Sequence, residues 1–256
     1  MPTVNREASI MLAVMEPNPA DPALHLPGPL ASYGDVIPAY LRHAYSWAYL
    51  DPRTLRWLDR PAVVSAILWG NANRLMRDAV AEFAPGQRVL QAACVYGGFS
   101  ALLAQRLGAH GALDVVDVAA LQVANARRKL AGFRQAKIWQ ADLSVSGCVA
   151  ADAYDGVCCF FLLHEVPEAE RCRIVDNLLA AVRPGGRIVF VDYHRPRGWH
   201  PLRPVMSMVF RSFEPYAQSL FAAAIESRSA RSAGFEWTKT TCFGGLYQKL
   251  VGTRRG

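Results

Sequence analysis

The sequence lacks the features of a membrane-spanning or disulfide-stabilised protein. No uninterrupted apolar run approaches the roughly eighteen residues of a membrane span, and the longest runs, AVVSAILW and VCCFFLL, reach about eight. The six cysteines show no C-x-x-C pair and no metal-finger spacing. Cys158 and Cys159 are adjacent in an apolar run, which is typical of buried reduced thiols. The first thirty residues lack a basic start followed by an apolar core. We therefore expect a cytoplasmic protein without a secretion signal.

The residues that are plentiful are apolar and basic. Of 256 residues, 52% are hydrophobic, which is enough to bury the core of a single domain of above-average size. The net charge of +7 allows attraction to nucleic acid or to an anionic membrane surface, and charge alone does not choose between them. Residues 1–30, with EPNPADPALHLPGP in their second half, predict a mobile tail.

The middle of the chain alternates short apolar runs with amphipathic stretches, which predicts a βαβ array with a mostly parallel sheet. The predicted strands are RVLQAAC (88–94), ALDVVDV (112–118), AKIWQAD (136–142), YDGVCCFFLL (154–163) and RIVFVDY (187–193). The predicted helices cover 99–108, 121–132 and 168–186, the last ended by Pro-Gly-Gly. Residues 232–254 predict a closing antiparallel hairpin.

Residues directly after the predicted strands carry the functional information, because ligands bind at the carboxyl ends of the strands in such sheets. The residues at that edge are Val95, Tyr96, Gly97, Gly98, Asp117, Asp142, His164, Glu165, Asp192, Tyr193 and His194. Six of them are ligands or acid–base groups, which is more than a structural role requires.

Two aspartates at this edge predict a nucleotide site. Asp117 lies 26 positions after Gln91, which is consistent with a second-strand carboxylate that accepts hydrogen bonds from both ribose hydroxyls. The alternative is that Asp117 only caps the following helix. Asp142 would face an adenine amino group, or be only a turn residue.

The loop VLQAACVYGGFS (89–100) is poor in glycine. In the common nucleotide-binding pattern a strand ends in an acid and runs into G-x-G-x-G, but Gln91 stands in the acid's place here and only Gly97 is kept. Ala93 and Val95 occupy the first two glycine positions. The loop therefore cannot approach a ligand as closely as a glycine backbone can. Either the loop has been altered for different chemistry, or the change is drift.

The five strands, Asp117, Asp142, RPGGRIVFVD and GGLYQKLVG together resemble class I S-adenosylmethionine-dependent methyltransferases, especially those acting on quinones, over residues 75–254. Across most of the chain, YLRHAYSWAYLDP, ILWGNANRL, VLQAACVYGGFS, LDVVDVAALQVANARRKL and LLHEVP resemble the RquA family of rhodoquinone biosynthesis proteins. The resemblance implies an α/β, Rossmann-like class I methyltransferase fold over 75–256, with a mostly parallel seven-stranded sheet and a C-terminal antiparallel hairpin. It also implies an aromatic helical substrate lid over 31–74.

The RquA resemblance implies that a ubiquinone methoxy group is replaced by an amino group, with S-adenosylmethionine as nitrogen donor and manganese as helper. The implied cofactor-binding residues are Gln91, Ala93, Val95, Tyr96, Gly97, Asp117, Val118, Asp142 and Leu143. The implied catalytic residues are His164, Glu165 and Tyr96, and the implied metal ligands are Asp192, His194 and Glu165. His164 is the expected general base, because the pKa of histidine lies near the working pH.

Two further segments bear on the substrate. Tyr40, Tyr45, Trp47, Tyr49 and Trp69 lie in an aromatic block that would bind a polyprenyl quinone, or would only pack on the sheet. Residues 193–221 mix arginines with Trp, Met and Phe, which suits a segment lying on an anionic membrane. We therefore expect peripheral association with the cytoplasmic membrane. No RNA-binding motif accompanies these residues, so no nucleic-acid partner is expected.

Three functions remain open from the sequence. The first is amino transfer to ubiquinone, the second is conventional methyl transfer to a quinone or a similar ring, and the third is a non-catalytic lipid-binding subunit of a quinone-synthesis complex. Asp117 and the other polar residues at the same edge argue against the third, because a catalytically silent protein has no need to keep buried carboxylates.

Overall fold

The computed structural model describes residues 37–49 and 51–256, which build one seven-stranded sheet in the order β3-β2-β1-β4-β5-β7-β6. The strands are β1 (Arg88–Ala92), β2 (Ala112–Asp117), β3 (Ala136–Gln140), β4 (Tyr154–Phe160), β5 (Val182–Tyr193), β6 (Phe235–Cys242) and β7 (Tyr247–Arg254). The first five strands pair in parallel, whereas β7 is antiparallel to both β5 and β6. The predicted sheet and its C-terminal hairpin are confirmed.

The described helices lie in three groups. The first group precedes the sheet and consists of α1 (Ala39–Ala44), α2 (Ser46–Tyr49), α3 (Pro52–Leu58), α4 (Pro61–Ile67) and α5 (Ala72–Val80). The crossover helices are α6 (Phe99–Leu107), α7 (Ala120–Lys129) and α8 (Glu168–Ala181). Between β5 and β6 lie α9 (Arg203–Ser212) and α10 (Ala217–Leu220). The predicted mobile tail, residues 1–30, and the first residues of the predicted lid, 31–36, lie outside the described residues.

The end of α8 differs from the prediction. The helix stops at Ala181, and the Pro-Gly-Gly sequence belongs to β5, where the register against β4 shifts between Tyr154 and Gly156. Proline lacks the N–H that a helix interior needs and disfavours helical backbone in the residue before it, so the helix ends early. Gly185 has φ +75°, a left-handed conformation that glycine adopts without strain.

A crevice opens where the strand order reverses, between β1 and β4. Both strands end in a left-handed residue that is not glycine, Ala93 with φ +66° and Phe161 with φ +53°. Their amides stay paired, with Ala93 N–H donating to Val116 O and Phe161 N–H donating to Val191 O, each at 2.8 Å. Such backbone is uncommon and concentrates at functional sites.

The sheet is covered on both faces, and apolar burial holds its layers together. On one face Leu103 and Leu107 of α6 and Phe83 after α5 are buried, and on the other Leu178 and Leu179 of α8. A side chain at Gly156 of β4 would come within 2.5 Å of the Phe83 ring, so this strand can pass beneath Phe83 only as glycine. All six cysteines are unpaired thiols. In the described part of the chain, no helix is both long and apolar enough to cross a bilayer.

Candidate active site

A cavity of about 1870 Å³, counting its solvent-open part, lies at the carboxyl edge of the sheet. Strand ends and loops contribute Ala93, Cys94, Val95, Tyr96, Asp117, Val118, Asp142, Leu143, His164 and Glu165 to its wall. The N-terminal helices contribute Tyr40, Tyr45 and Tyr49, and residues of α9 and the segment after it complete the wall. The cavity therefore joins the predicted nucleotide edge to an apolar chamber.

Asp117 is buried at the end of β2 and faces this cavity. Its Oδ2 accepts a hydrogen bond from Cys94 N–H at 2.6 Å, and its Oδ1 accepts one from Ala119 N–H at 2.7 Å. Burial outweighs these backbone hydrogen bonds and raises the pKa of Asp117 to about 6. A carboxylate oxygen accepts two hydrogen bonds, so each oxygen can still accept one from a ribose hydroxyl. Asp142 also lines the cavity, with its Oδ1 accepting from Ser144 N–H at 2.8 Å.

The glycine-poor loop contributes fewer residues to the cavity than the sequence predicts. Ala93, Val95 and Tyr96 line it, but Gln91 is fully buried, and its side-chain amide donates to Ala93 O at 2.8 Å. Gly97 lies beneath the wall, where an added side chain would meet Val64 at 3.3 Å. Gln91 and Gly97 therefore do not line the cavity, and their direct contacts with cofactor stay predictions.

Asp59 anchors this loop, and sequence reasoning missed it. Its Oδ1 accepts hydrogen bonds from Gly97 N–H at 2.8 Å and from Lys129 Nζ at 2.7 Å. Its Oδ2 accepts from Asn125 Nδ2 at 3.1 Å, and Lys129 Nζ also donates to Val95 O at 3.1 Å. The N-terminal helices, the loop and α7 thus share one carboxylate, whose side chain is 10% exposed. The only feature of the sequence that could have indicated this role is that an acidic residue directly follows the apolar end of α3.

His164, Glu165 and Glu214 form an acidic cluster on the cavity wall, with one ligand atom of each within 4.8 Å of the others. The Nε2 of His164 lies 3.7 Å from Glu165 Oε1 and 3.9 Å from Glu214 Oε2. The Tyr45 hydroxyl donates to Glu214 at 2.8 Å, and the Tyr49 hydroxyl donates to Glu165. One imidazole nitrogen and two carboxylates are a donor set that suits a divalent ion such as Mn²⁺.

Asp192 orients the histidine. Its Oδ1 lies 2.8 Å from His164 Nδ1, and its Oδ2 accepts from the backbone N–H groups of Leu163 and His164 at 2.9 and 3.3 Å. His194 Nδ1 lies 3.0 Å from Gly245 O, and this side chain is not on the cavity wall. Within the described residues, the predicted metal set of Asp192, His194 and Glu165 is therefore not assembled.

Glu214, and not Asp192 or His194, lies with His164 and Glu165 in the cluster. It is the only acidic residue between Asp192 and Glu226, in a segment otherwise rich in arginine. That isolation is the signal that could have singled it out.

The protonation of the cluster changes the expected role of His164. Burial lowers the pKa of His164, but the carboxylates of Asp192 and Glu214 outweigh burial and raise it to about 9. Burial also raises the pKa of Glu165, to about 8, although the charge of His164 opposes it. Without a bound cation, His164 is therefore protonated at neutral pH and cannot accept a proton. Glu165 has the lower of the two pKa values, so a larger fraction of it is ionised at neutral pH, and it is the better candidate for the general base.

The aromatic residues divide between the cavity and the packing around it. Tyr40, Tyr45 and Tyr49 line the cavity, and the Tyr49 ring stacks on Tyr96 with centroids 5.7 Å apart and an interplanar angle of 5°. Trp69 lies off the cavity wall, and its Nε1–H donates to Met206 Sδ at 3.3 Å. The side chain of Trp47 lies outside the part that the structure describes.

Residues 89–186 match the methyltransferase-domain family. A demethylmenaquinone methyltransferase from Clavibacter sepedonicus is 31% identical over 159 residues, which cover 62% of this chain. The match spans 59% of the length of that curated relative.

Solved structures show the same architecture. An O-methyltransferase family protein from Burkholderia thailandensis matches 87% of this chain and 67% of its own, with a TM-score of 0.65 and 16% identity. Human N-acetylserotonin methyltransferase, solved in complex with S-adenosylmethionine, matches 89% of this chain and 66% of its own, with a TM-score of 0.56 and 14% identity. These likenesses establish the fold.

Proposed function

Starting from the class I S-adenosylmethionine-dependent methyltransferase fold of this chain, we propose that it binds S-adenosylmethionine along the Asp117 edge and acts on a quinone. We further propose that it replaces a ring methoxy group of ubiquinone with an amino group, as the RquA resemblance implies. S-adenosylmethionine is then the nitrogen donor.

The observation that carries this proposal is the hydrogen bond from Gly97 to Asp59, at 2.8 Å. A methyltransferase holds the amino acid end of its cofactor against the glycine loop, so that only the sulfonium methyl group points at the substrate. In this chain Gly97 is the one glycine of the pattern that the loop keeps, and its N–H group already donates to the carboxylate of Asp59. Ala93, Val95 and Tyr96 add bulk at the cavity surface. Both features favour an amino acid end that is turned away from the loop and toward the chamber.

The acidic cluster supports a role for a divalent ion. The imidazole of His164 and the carboxylates of Glu165 and Glu214 would hold Mn²⁺, and Asp192 keeps His164 in the tautomer with Nε2 free for it. A bound ion supplies Lewis-acid polarisation of an oxygen on the quinone or on the cofactor.

The first covalent step is an addition and elimination at the quinone ring. The cofactor amine nitrogen bonds to the methoxy-bearing carbon, the carbon–oxygen bond breaks, and methanol leaves with the proton that the nitrogen loses. Glu165 would carry this proton, because its carboxylate lies on the cavity wall and the Tyr49 hydroxyl fixes its position.

Conventional methyl transfer to a quinone is the second candidate. The specific observation in its favour is the 31% identity to a relative named as a demethylmenaquinone methyltransferase. The Asp117 edge and the tyrosine-lined chamber would serve this reaction as well.

One experiment separates the candidates. The full chain is incubated with ubiquinone, Mn²⁺ and S-adenosylmethionine that carries ¹⁵N in its amine and deuterium in its methyl group, and the quinone is weighed by mass spectrometry. A product that has lost a methoxy group and gained ¹⁵N supports amino transfer. A gain of the deuterated methyl group supports methyl transfer instead. An unchanged quinone, with cofactor binding verified, would leave a non-catalytic lipid-binding protein.

A further inference from the structure

One face of the protein is both apolar and basic at the surface. We call it the docking face and define it by Arg195, Arg197, Trp199, Arg203, Met208 and Arg211. Among the described residues, the exposed large hydrophobic side chains are Val145, Trp199 and Met208, with 57%, 70% and 48% of their surface accessible. Two of these three lie on the docking face. Exposed tryptophan is uncommon away from binding surfaces, because its ring gains much free energy from burial.

The charge of the docking face is of one sign. All four of its arginines are exposed, and within the described residues none of them forms an ion pair. The sequence has no acidic residue between Asp192 and Glu214. Glu214 itself does not neutralise this face, because its carboxylate is held in the cavity by Tyr45. The surface is therefore free to attract an anionic partner.

The loop that carries Trp199 is anchored from behind. His200 is buried, its Nε2–H donates to Phe243 O at 2.9 Å, and its Nδ1 accepts from Leu202 N–H at 3.2 Å. The ring of Trp199 stacks on His200, with centroids 6.4 Å apart. Trp199 therefore projects outward from a fixed base.

Helix α9 connects this face to the cavity. Met206, Val209 and Phe210 are buried on its inner side. Arg203 and Arg211 are exposed, two turns apart along the helix. Met208 is both half-exposed and part of the cavity wall. Met208 therefore connects the docking face with the cavity wall.

We propose that the docking face binds an anionic lipid surface. Trp199 and Met208 lie at the boundary between headgroups and acyl chains, the arginines contact lipid phosphates, and an apolar substrate enters the cavity beside Met208 without crossing water. A basic groove that bound nucleic acid would need no exposed methionine at its centre, so the lipid surface fits this face better. The docking itself does not depend on the proposed function, whereas the entry of a lipid-tailed quinone rests on it.

The test is sedimentation of the full chain with vesicles. Binding is expected with vesicles of phosphatidylcholine and phosphatidylglycerol, weaker binding with phosphatidylcholine alone, and weaker binding as salt increases. Trp199→Ser should weaken binding to anionic vesicles. Arg203→Gln and Arg211→Gln should each weaken it by about fivefold, as expected for one basic residue near an anionic surface. Val145→Ser, an exposed apolar position away from the face, is the matched control and should bind like the wild type.

Several outcomes overturn the proposal. They are an absence of binding to anionic vesicles, wild-type binding by folded Trp199→Ser and Arg211→Gln variants, and displacement of the protein from vesicles by RNA or by soluble glycerol phosphate. Turnover then separates docking from catalysis. The Trp199→Ser variant should lose turnover with a long-tailed quinone in vesicles and keep it with a tail-less quinone in solution. If neither quinone is converted while vesicle binding persists, the proposed function fails and docking stands.

Discussion

The backbone amide of Gly97 donates a hydrogen bond to the carboxylate of Asp59 at 2.8 Å, and this contact joins the N-terminal helices to the loop after β1. Asp59 directly follows α3, and Lys129 of α7 neutralises it at 2.7 Å. The loop therefore takes its shape partly from a residue outside the sheet. The first prediction tests this dependence.

Asp59→Ala should lower the free energy of unfolding by about 1.5 to 3 kcal/mol, the range for hydrogen bonds to a charged group. It should also weaken S-adenosylmethionine binding, although Asp59 does not line the cavity. The reason is that Val95 and Tyr96 lose their fixed backbone. Isothermal titration calorimetry measures the change.

Asp51→Ala is the matched control for this variant, because Asp51 caps α3 by accepting from Arg53 N–H at 2.8 Å and does not touch the loop. It should cost about 1 kcal/mol of folding stability and leave cofactor affinity intact. If both variants weaken binding equally, the Asp59 contact has no particular role in shaping the loop.

Asp117→Ala should weaken S-adenosylmethionine binding by roughly 1.5 to 3 kcal/mol, because the ribose hydroxyls lose a charged acceptor. Calorimetry on the folded variant is the measurement, with thermal denaturation as the control for folding. Unchanged affinity would show that the ribose lies elsewhere.

Cofactor affinity should depend on pH through Asp117, whose pKa is raised by burial from 3.8 to about 6. Because the folded protein holds this proton more tightly than the unfolded chain, Asp117 lowers folding stability as pH rises from 3.8 toward 6. Ribose hydroxyls donate to the ionised form, so affinity should fall as pH drops below 6, by at most about tenfold per pH unit. Calorimetric titrations with S-adenosylmethionine at pH values below and above 6 measure how the affinity depends on pH. Asp117→Ala should remove this dependence. A flat wild-type profile would contradict the assignment.

Glu214→Gln should weaken Mn²⁺ binding by at least about tenfold. Loss of a residue that only hydrogen-bonds to a metal ligand already costs about that much, and Glu214 would be a ligand itself. Electron paramagnetic resonance of free Mn²⁺ gives the affinity. Glu170→Gln is the matched control, because Glu170 pairs with Arg173 on the surface of α8.

His164→Gln should weaken Mn²⁺ binding as well and lower turnover steeply while cofactor binding persists. Wild-type Mn²⁺ affinity in both Glu214→Gln and His164→Gln would remove the cluster as a metal site.

The glycine-poor loop can be restored toward the ordinary pattern. Ala93 has φ +66°, so Ala93→Gly alone should stabilise the fold by about 1 kcal/mol, because glycine adopts this backbone without strain. The double variant with Val95→Gly should bind cofactor and deliver less amine to ubiquinone. Thermal denaturation and the labelled-cofactor assay measure the two effects. Amination at the original rate would mean that these side chains do not set the chemistry.

Much of the fold follows from the sequence alone. Alternating apolar runs and helical stretches predicted the five parallel strands, and residues 232–254 were correctly predicted as the closing hairpin. Asp117 and Asp142 could be placed on the cavity because the strand-end rule depends only on where each strand stops. These are local properties of the chain, and a single sequence contains them.

The composition of the site was decided only by the tertiary structure. Glu214 reaches His164 because the segment after α9 lies against the cavity. Asp192 contacts Nδ1 of the same histidine and orients its ring. Asp59 meets Gly97 across separate layers of the fold. A sequence lists the titratable side chains, but their pKa values and partners depend on which distant charges share a buried space, and packing of the whole chain sets that.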